Sequence, residues 1–220
     1  MTRLLDLGID RINKILKDMV CLAEISFIDA IDSYKNGISA PKNSYRISEK
    51  LRILQDEISE IAIELIARYQ PVATDLRFIK SSLEISYNVS RFGRYSFDIV
   101  DLIQESGPLE DCDKSRVLEI SKTVREMIMI CSDAIHTRDT GKVKELYGLE
   151  NNIDREYKKY LREIIQSSEF SLNKTEKRQS FNCYLTSLLI LRYLERISDH
   201  ACGIGDSINF IKSGKSSPRL

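Results

Sequence analysis

The chain has 220 residues, 42% of them hydrophobic and 30% charged, and its 33 basic and 33 acidic side chains leave a net charge of zero. That balance argues against a nucleic-acid binder, which needs a basic surplus or patch, and no apolar run approaches the roughly 18 residues that cross a bilayer. The amino terminus, Met1-Thr2-Arg3-Leu4-Leu5-Asp6, lacks the layout of a secretory leader, so a soluble, cytoplasmic protein without membrane insertion is expected.

In chain order, Leu5, Ile9, Ile12, Leu16, Met19 and Ala23 line one face of a first helix. Gly37 to Pro41 is a turn, and Ile47, Leu51, Leu54, Ile58, Ile61 and Leu65 repeat the pattern in a second helix. Gln70-Pro71 stops it, because the residue before a proline disfavours the α region. A third helix from Thr74 to Gln104 would span about 46 Å at 1.5 Å per residue. Gly107-Pro108 separates the halves. Val117, Ile120, Val124, Met127, Cys131 and Ala134 mark a fourth helix, closed by Thr140-Gly141. A fifth helix carries Leu149 and Ile153, and the polar run from Gln166 to Thr175 leads to the sixth. There Ile190, Leu194, Ile197, Ala201, Ile204, Ile208 and Ile211 form the strongest stripe, before Gly214 and a tail, Lys215 to Leu220, that is expected to fray. No segment reads as a strand. The expected fold is all-α: two tandem antiparallel three-helix bundles over residues 1–106 and 112–214.

The halves read as repeats. Leu54-Gln55 and Ile58-Ser59 match Leu149-Glu150 and Ile153-Asp154 at an offset of 95. Val89 to Ser96 matches Leu194 to Ala201 at an offset of 105, and the ten extra residues fit in the longer connection before the sixth helix. The second half keeps acids, Glu150, Asp154, Glu195 and Asp199, where the first has Gln55, Ser59, Ser90 and Arg94. Residues four apart on a helix are neighbours, so each acidic pair forms a two-carboxylate edge beside the core seam. Packed antiparallel, the fifth and sixth helices would bring these edges together, with Asp206 two turns beyond Asp199. Such an all-oxygen cluster suits hard or borderline cations such as Fe(III), Mn, Mg or Ca. The competing reading is a solvated acidic edge, since pairs such as Asp6/Asp10 and Asp56/Glu60 share the spacing and cost only a few tenths of a kcal/mol.

Other chemistry is sparse. Cys21, Cys112, Cys131, Cys183 and Cys202 are scattered and never form a C-x-x-C pair, which reads as reduced thiols in the core. His136 and His200 are the only histidines, and a ferritin-like diiron oxidase needs Glu-x-x-His on two helices. His200 reads as a surface or interface residue. The tyrosines of the second half (Tyr147, Tyr157, Tyr160, Tyr184 and Tyr193) read as packing at the rims of the apolar faces. No Gly-rich phosphate loop or nucleophile-His-acid set is present, so no catalytic residues are assigned and the chain does not read as an enzyme.

Three segments together resemble the PhoU family of phosphate-uptake and phosphate-signalling regulators. Leu194-Glu195-Arg196-Ile197-Ser198-Asp199-His200-Ala201 resembles its LERIGDHA signature. Gln70-Pro71-Val72-Ala73-Thr74-Asp75-Leu76-Arg77 resembles QPxAxDLR at the start of the third helix, and Leu149-Glu150-Asn151-Asn152-Ile153-Asp154 its E/D-x-x-x-D motif. The resemblance implies two similar three-helix bundles, a homodimer, and regulation of phosphate uptake through a phosphate transporter and a sensor kinase at the cytoplasmic membrane face. It also implies a multinuclear metal cluster on Glu150, Asp154, Glu195 and Asp199, with Asp206 as a further candidate. Iron is foremost, and manganese, zinc, magnesium or calcium are alternatives. The departures confine any such site to the second repeat, because the Arg94 guanidinium would repel a cation and has Asp98 four residues on as a partner. Gly203 stands where the family has asparagine, and Asp206 where it has a longer glutamate. Two other readings are an accessory module of a different ion transport system and a carboxylate-bridged metal enzyme.

Overall fold

The computed structural model describes residues 4–38, 40–166 and 174–215, with the side chains of the last helix from residue 181 onward. Among the described residues six helices follow one another: α1 Leu4–Asn36, α2 Pro41–Tyr69, α3 Ala73–Ser106, α4 Ser115–Thr137, α5 Val143–Gln166 and α6 Lys174–Ser213. Among the described residues there is no strand. The expected all-α class is what the structure shows. Most of the expected polar connection before α6 and of the fraying tail lies outside the described residues, at 167–173 and 216–220.

Local chemistry sets the breaks. Pro41 starts α2 at a position where its missing N–H costs nothing. Gln70 ends it in the left-handed region at φ 46°, its N–H bonded to the Ile66 carbonyl, and Pro71 prevents continuation. The fourth helix stops earlier than expected. Arg138, not Thr140-Gly141, takes the left-handed cap at φ 56°, and its N–H returns to the Ala134 carbonyl.

The α1, α2 and α3 helices pack mutually as one bundle, and α4, α5 and α6 as the other. Leu16, Met19, Leu51, Ile58 and Ile79 fill the first core, and Val124, Met127, Leu194, Ile197 and Ile204 the second. Each such side chain contributes about 1.5–3 kcal/mol of burial. Gly93 lets α2 and α3 approach closely, since a Cβ there would run into the Leu51 side chain.

The bundles join chiefly through α3 against α6, the most extensive helix pair of the fold, with α1 against α4 beside it. Both long helices also carry small polar residues at buried positions. Ser82, Ser86, Ser96 and Ser198 are buried, and each hydroxyl donates to a carbonyl three or four residues back on its own helix. The polar atoms are thereby satisfied, and their small volume admits the neighbouring helix.

Contacts along the seam run antiparallel and reveal the duplication in space. Arg77 Nε donates to the Ile211 carbonyl at 3.2 Å, and the Asn182 amide donates to the Ser106 carbonyl. Shifting each partner by the 105-residue offset converts the first contact into the second. The same shift converts Asn88–His200 (Nδ1 to Oδ1, 2.7 Å) into Tyr193–Tyr95, whose rings stack at 6.1 Å. The two long helices are therefore related by an approximate twofold axis that crosses their contact.

The reading of all five cysteines as reduced thiols is corrected. Cys112, in the connection between the bundles, forms a disulfide with Cys183 of α6 (Cα–Cα 5.4 Å). Only Cys131 is a buried core thiol. Cys21 is exposed and Cys202 half-buried. Nothing in the spacing of Cys112 and Cys183 signals the pairing, because packing of α6 across the end of α3 brings them together.

Candidate functional site

The acidic edge forms where α5 packs on α6. Glu150 and Asp154 follow the apolar stripe positions Leu149 and Ile153, and Glu195 and Asp199 follow Leu194 and lie beside Ile197, so burial of the stripes turns both pairs toward the α5–α6 rim. Glu195 is the most buried of the four, 7% exposed, while Glu150, Asp154 and Asp199 are half-buried.

The electrostatics confirm that the four acids share one environment. Burial pushes the Glu150 carboxyl above the ordinary range, and the charges of Asp199 and Asp154 push it further against a weaker opposing pull from Lys158. Burial also raises Glu195, followed by Asp199 and, from across the helix pair, more weakly by Asp154, while Arg192 and Arg196 oppose the shift. Each acidic pair thus feels an acid of the other helix.

Cations of the chain itself compensate much of this charge. Lys158 Nζ lies 2.6 Å from Asp154 Oδ2, Arg192 Nη1 2.8 Å from Glu195 Oε2, and Arg196 Nη1 3.6 Å from Asp199 Oδ2. The Arg192 guanidinium also sits over the Tyr157 ring, 5.4 Å from its centroid. One atom stays incompletely served. Glu195 Oε2 is buried and accepts no hydrogen bond, because Arg192 approaches within ion-pair distance without aiming an N–H at it.

These facts bear on the implied metal. The donor set is all carboxylate and suits a hard cation, and Glu195 Oε2 is an acceptor with capacity to spare. Yet no three or more His, Cys, Asp or Glu side chains among the described residues are arranged to hold a metal ion. The chemistry of the donors fits. A preformed coordination shell is not built, since Lys158, Arg192 and Arg196 stand where a cation would neutralise the edge.

Asp206 lies apart from the quartet. It accepts a short hydrogen bond from the Tyr147 hydroxyl of α5, and it is not among the charges that shift Glu150 or Glu195. Tyr147 therefore has a polar partner beyond the rim packing expected of it. Tyr157, Tyr160 and Tyr193 do pack against the core. His200 sits half-buried at the seam between Tyr87, Tyr95 and Asn88, an interface position as expected. His136 is exposed, its Nδ1 2.7 Å from the Ser132 carbonyl.

In the first half the matching positions make a different set of bonds. Ser90 Oγ donates to Gln55 Oε1 at 2.7 Å, and Ser59 Oγ to the Gln55 carbonyl at 3.1 Å. Arg94 turns to Asp98, 3.0 Å away, and lies over Phe97. One neutral hydrogen bond, Ser90 to Gln55, bridges α2 and α3 where carboxylates line α5 and α6. The Arg192–Glu195 pair escaped the sequence reading, although its i,i+3 spacing was a visible signal. The Tyr147–Asp206 bond had none.

Comparison with known proteins bears on the fold and its duplication. The PhoU domain matches twice, over residues 16–103 and 117–208. A phosphate-specific transport system accessory protein PhoU homolog of Caulobacter vibrioides is 28% identical over 170 residues, covering 76% of this chain and 71% of its own length. The corresponding homolog of Archaeoglobus fulgidus is 25% identical over 200 residues, covering 91% and 90%. The crystal structure of the phosphate transport system regulatory protein PhoU from Streptococcus pneumoniae superposes with a TM-score of 0.84 at 17% identity, over 98% of this chain and all (100%) of that one. That of PhoU from Pseudomonas aeruginosa gives 0.71 at 24% identity, over 96% of each. At these identities the two structures speak for the fold.

Proposed function

The chain belongs to the PhoU family, and from that premise we propose that it is an accessory regulator of phosphate transport that acts by protein–protein contact on a phosphate transporter and its sensor kinase. The family is regulatory and accessory rather than enzymatic. The observation that carries the reading is the pair of PhoU domain matches, which together span most of the chain and coincide with the twofold-related bundles. Among the described residues no helix is long and apolar enough to cross a membrane, so contact with a transporter would be made by helix faces docked at the cytoplasmic side. A rigid twofold body is suited to that role, because a shift at one bundle is transmitted through the packed α3–α6 seam rather than absorbed by a linker.

The test is crosslinking in the native host followed by affinity purification from solubilised membranes and mass spectrometry. Subunits of a phosphate transporter should be enriched over an untagged control. Enrichment of a different ion transporter in their place would overturn the assignment in favour of an accessory role elsewhere. We also propose that the chain works as a homodimer, checked by light scattering at tens of micromolar, where a monomer would count against it.

A second reading concerns the acidic edge and is favoured by the unserved Glu195 Oε2. We propose that Glu150, Asp154, Glu195 and Asp199 take up a hard cation, iron foremost, in competition with Lys158, Arg192 and Arg196, with Asp206 peripheral. Bound there, the ion would supply charge neutralisation across α5 and α6. Manganese, zinc, magnesium and calcium are the alternatives that elemental analysis separates.

A further inference from the structure

The Cys112–Cys183 bond lies outside everything the proposed function uses. Cys112 belongs to the segment between α3 and α4, the covalent passage from one bundle to the other. Cys183 lies on α6, in the stretch that crosses the end of α3. The bond closes a sequence separation of 71 residues and ties the inter-bundle connection to the helix that later carries Glu195 and Asp199.

Its surroundings divide sharply. On the carboxyl side of Cys183, α6 is anchored by buried groups. Thr186 Oγ1 lies 2.9 Å from Ser106 Oγ, and Ser187 Oγ 3.0 Å from the Tyr34 hydroxyl, with Thr186, Ser187 and Tyr34 all nearly inaccessible. Around Cys183 itself the helix is exposed. Phe181 is 65% accessible, Leu185 40% and Tyr184 38%, and the Asn182 amide donates to the Ser106 carbonyl. The disulfide thus ties this exposed turn covalently to the connection between the bundles. Both cysteines are only half-buried, so an attacking thiolate can reach them.

We propose that Cys112–Cys183 is a thiol–disulfide exchange site, opened by a dithiol reductant and closed by its disulfide form, and that opening releases the α6 turn around Cys183. In the forward step a thiolate of the reductant attacks one sulfur, forming a mixed disulfide and expelling the other cysteine as thiolate. The second thiol of the reductant then displaces the remaining cysteine. The reductant loses two electrons and becomes a disulfide, while Cys112 and Cys183 gain those electrons and take up one proton each. Cys202 lies 19 residues further along α6 than Cys183, about 28 Å at 1.5 Å per residue. Cys131 is fully buried and its thiol is pushed well above the usual range by that burial, with Cys202 adding to the effect. Cys21 is an exposed thiol of α1.

Hydrogen exchange read by mass spectrometry on the folded full-length chain tests this, with millimolar dithiothreitol as the reductant and alkylation mapping in parallel. Without reductant, Cys112 and Cys183 should resist alkylation and elute as one linked peptide. With it, both should label, and amide exchange over residues 181–185 should rise by about tenfold or more while residues 190–211 stay protected. The Cys112→Ser/Cys183→Ser chain should show the faster exchange with or without reductant. Two cysteines that alkylate without reductant overturn the proposal. So does a bond that dithiothreitol opens only after denaturation, or reduction that leaves exchange over 181–185 unchanged.

Discussion

Replacing Glu195 with glutamine tests the electrostatic account of the acidic edge. The side chain keeps its shape and loses its charge. Glu195 is raised first by burial and then by Asp199, so its carboxyl holds a proton more readily in the folded chain than in the unfolded one. A group of that kind leaves stability intact below the unfolded carboxylate pKa and removes it as pH rises through the higher folded value. An unserved buried polar atom costs about 1–3 kcal/mol and more when it is charged; the amide keeps the polar atom and sheds the charge, and loses the partly exposed Arg192 pair, about 0–1 kcal/mol. The net gain expected of Glu195→Gln is therefore about 1 kcal/mol at neutral pH, a rise in Tm of about 2–4 °C for a chain of this size. The assay is thermal unfolding followed by circular dichroism in the presence of a chelator, at neutral pH and again at about pH 4, near the unfolded carboxylate value. The two curves should separate at neutral pH and converge in acid. A lower Tm for the variant at neutral pH would refute the reasoning, since it would mean that Arg192 and Arg196 hold the ionised carboxylate at a profit.

Other expectations follow from the same contacts. Glu195→Ala/Asp199→Ala should abolish metal retained after growth in iron- or manganese-rich medium, by elemental analysis, whereas Ser90→Ala and Arg94→Ala should leave it unchanged. Metal persisting in the double variant would exclude the quartet. Gly93→Ala forces the fully buried Leu51 to move, at about 1–3 kcal/mol of overpacking against less than about 1 kcal/mol of helix propensity regained, so urea unfolding should show a net loss. Leu194→Ala empties a site that is 0% exposed and should cost about 3–5 kcal/mol in the same assay. A loss below about 1 kcal/mol would mean that the core around α6 is looser than its packing indicates.

The helices were legible because their cores are built from long apolar stripes. Leu5 to Ala23, Ile47 to Leu65 and Ile190 to Ile211 each present one face at helical spacing, and each became a helix. The pairing of α3 with α6 was harder to see. Its contacts are polar, Arg77 to the Ile211 carbonyl, Asn88 to His200 and Ser106 to Thr186, so no apolar stripe marks the facing sides. Carboxylates four apart were readable as an edge, and Glu150, Asp154, Glu195 and Asp199 do lie where α5 packs on α6. Arg192 lies one turn before Glu195, a spacing that permits their ion pair without requiring it. Asp206 was placed on the same line as Asp199 from spacing alone, and a phenol from the neighbouring helix took it. The disulfide illustrates the limit most clearly, since two cysteines at a sequence separation of 71 meet only through the crossing of α6 over the end of α3.

The central claim is regulation of phosphate transport, and phosphate uptake itself tests it most directly. Radiolabelled phosphate uptake would be measured in the native host, in a strain lacking this chain and in the same strain carrying it on a plasmid, at high and at limiting phosphate. The account predicts that loss of the chain changes the uptake rate most when phosphate is plentiful, and that the plasmid copy restores it. Uptake that is the same in all three strains under both conditions would contradict it.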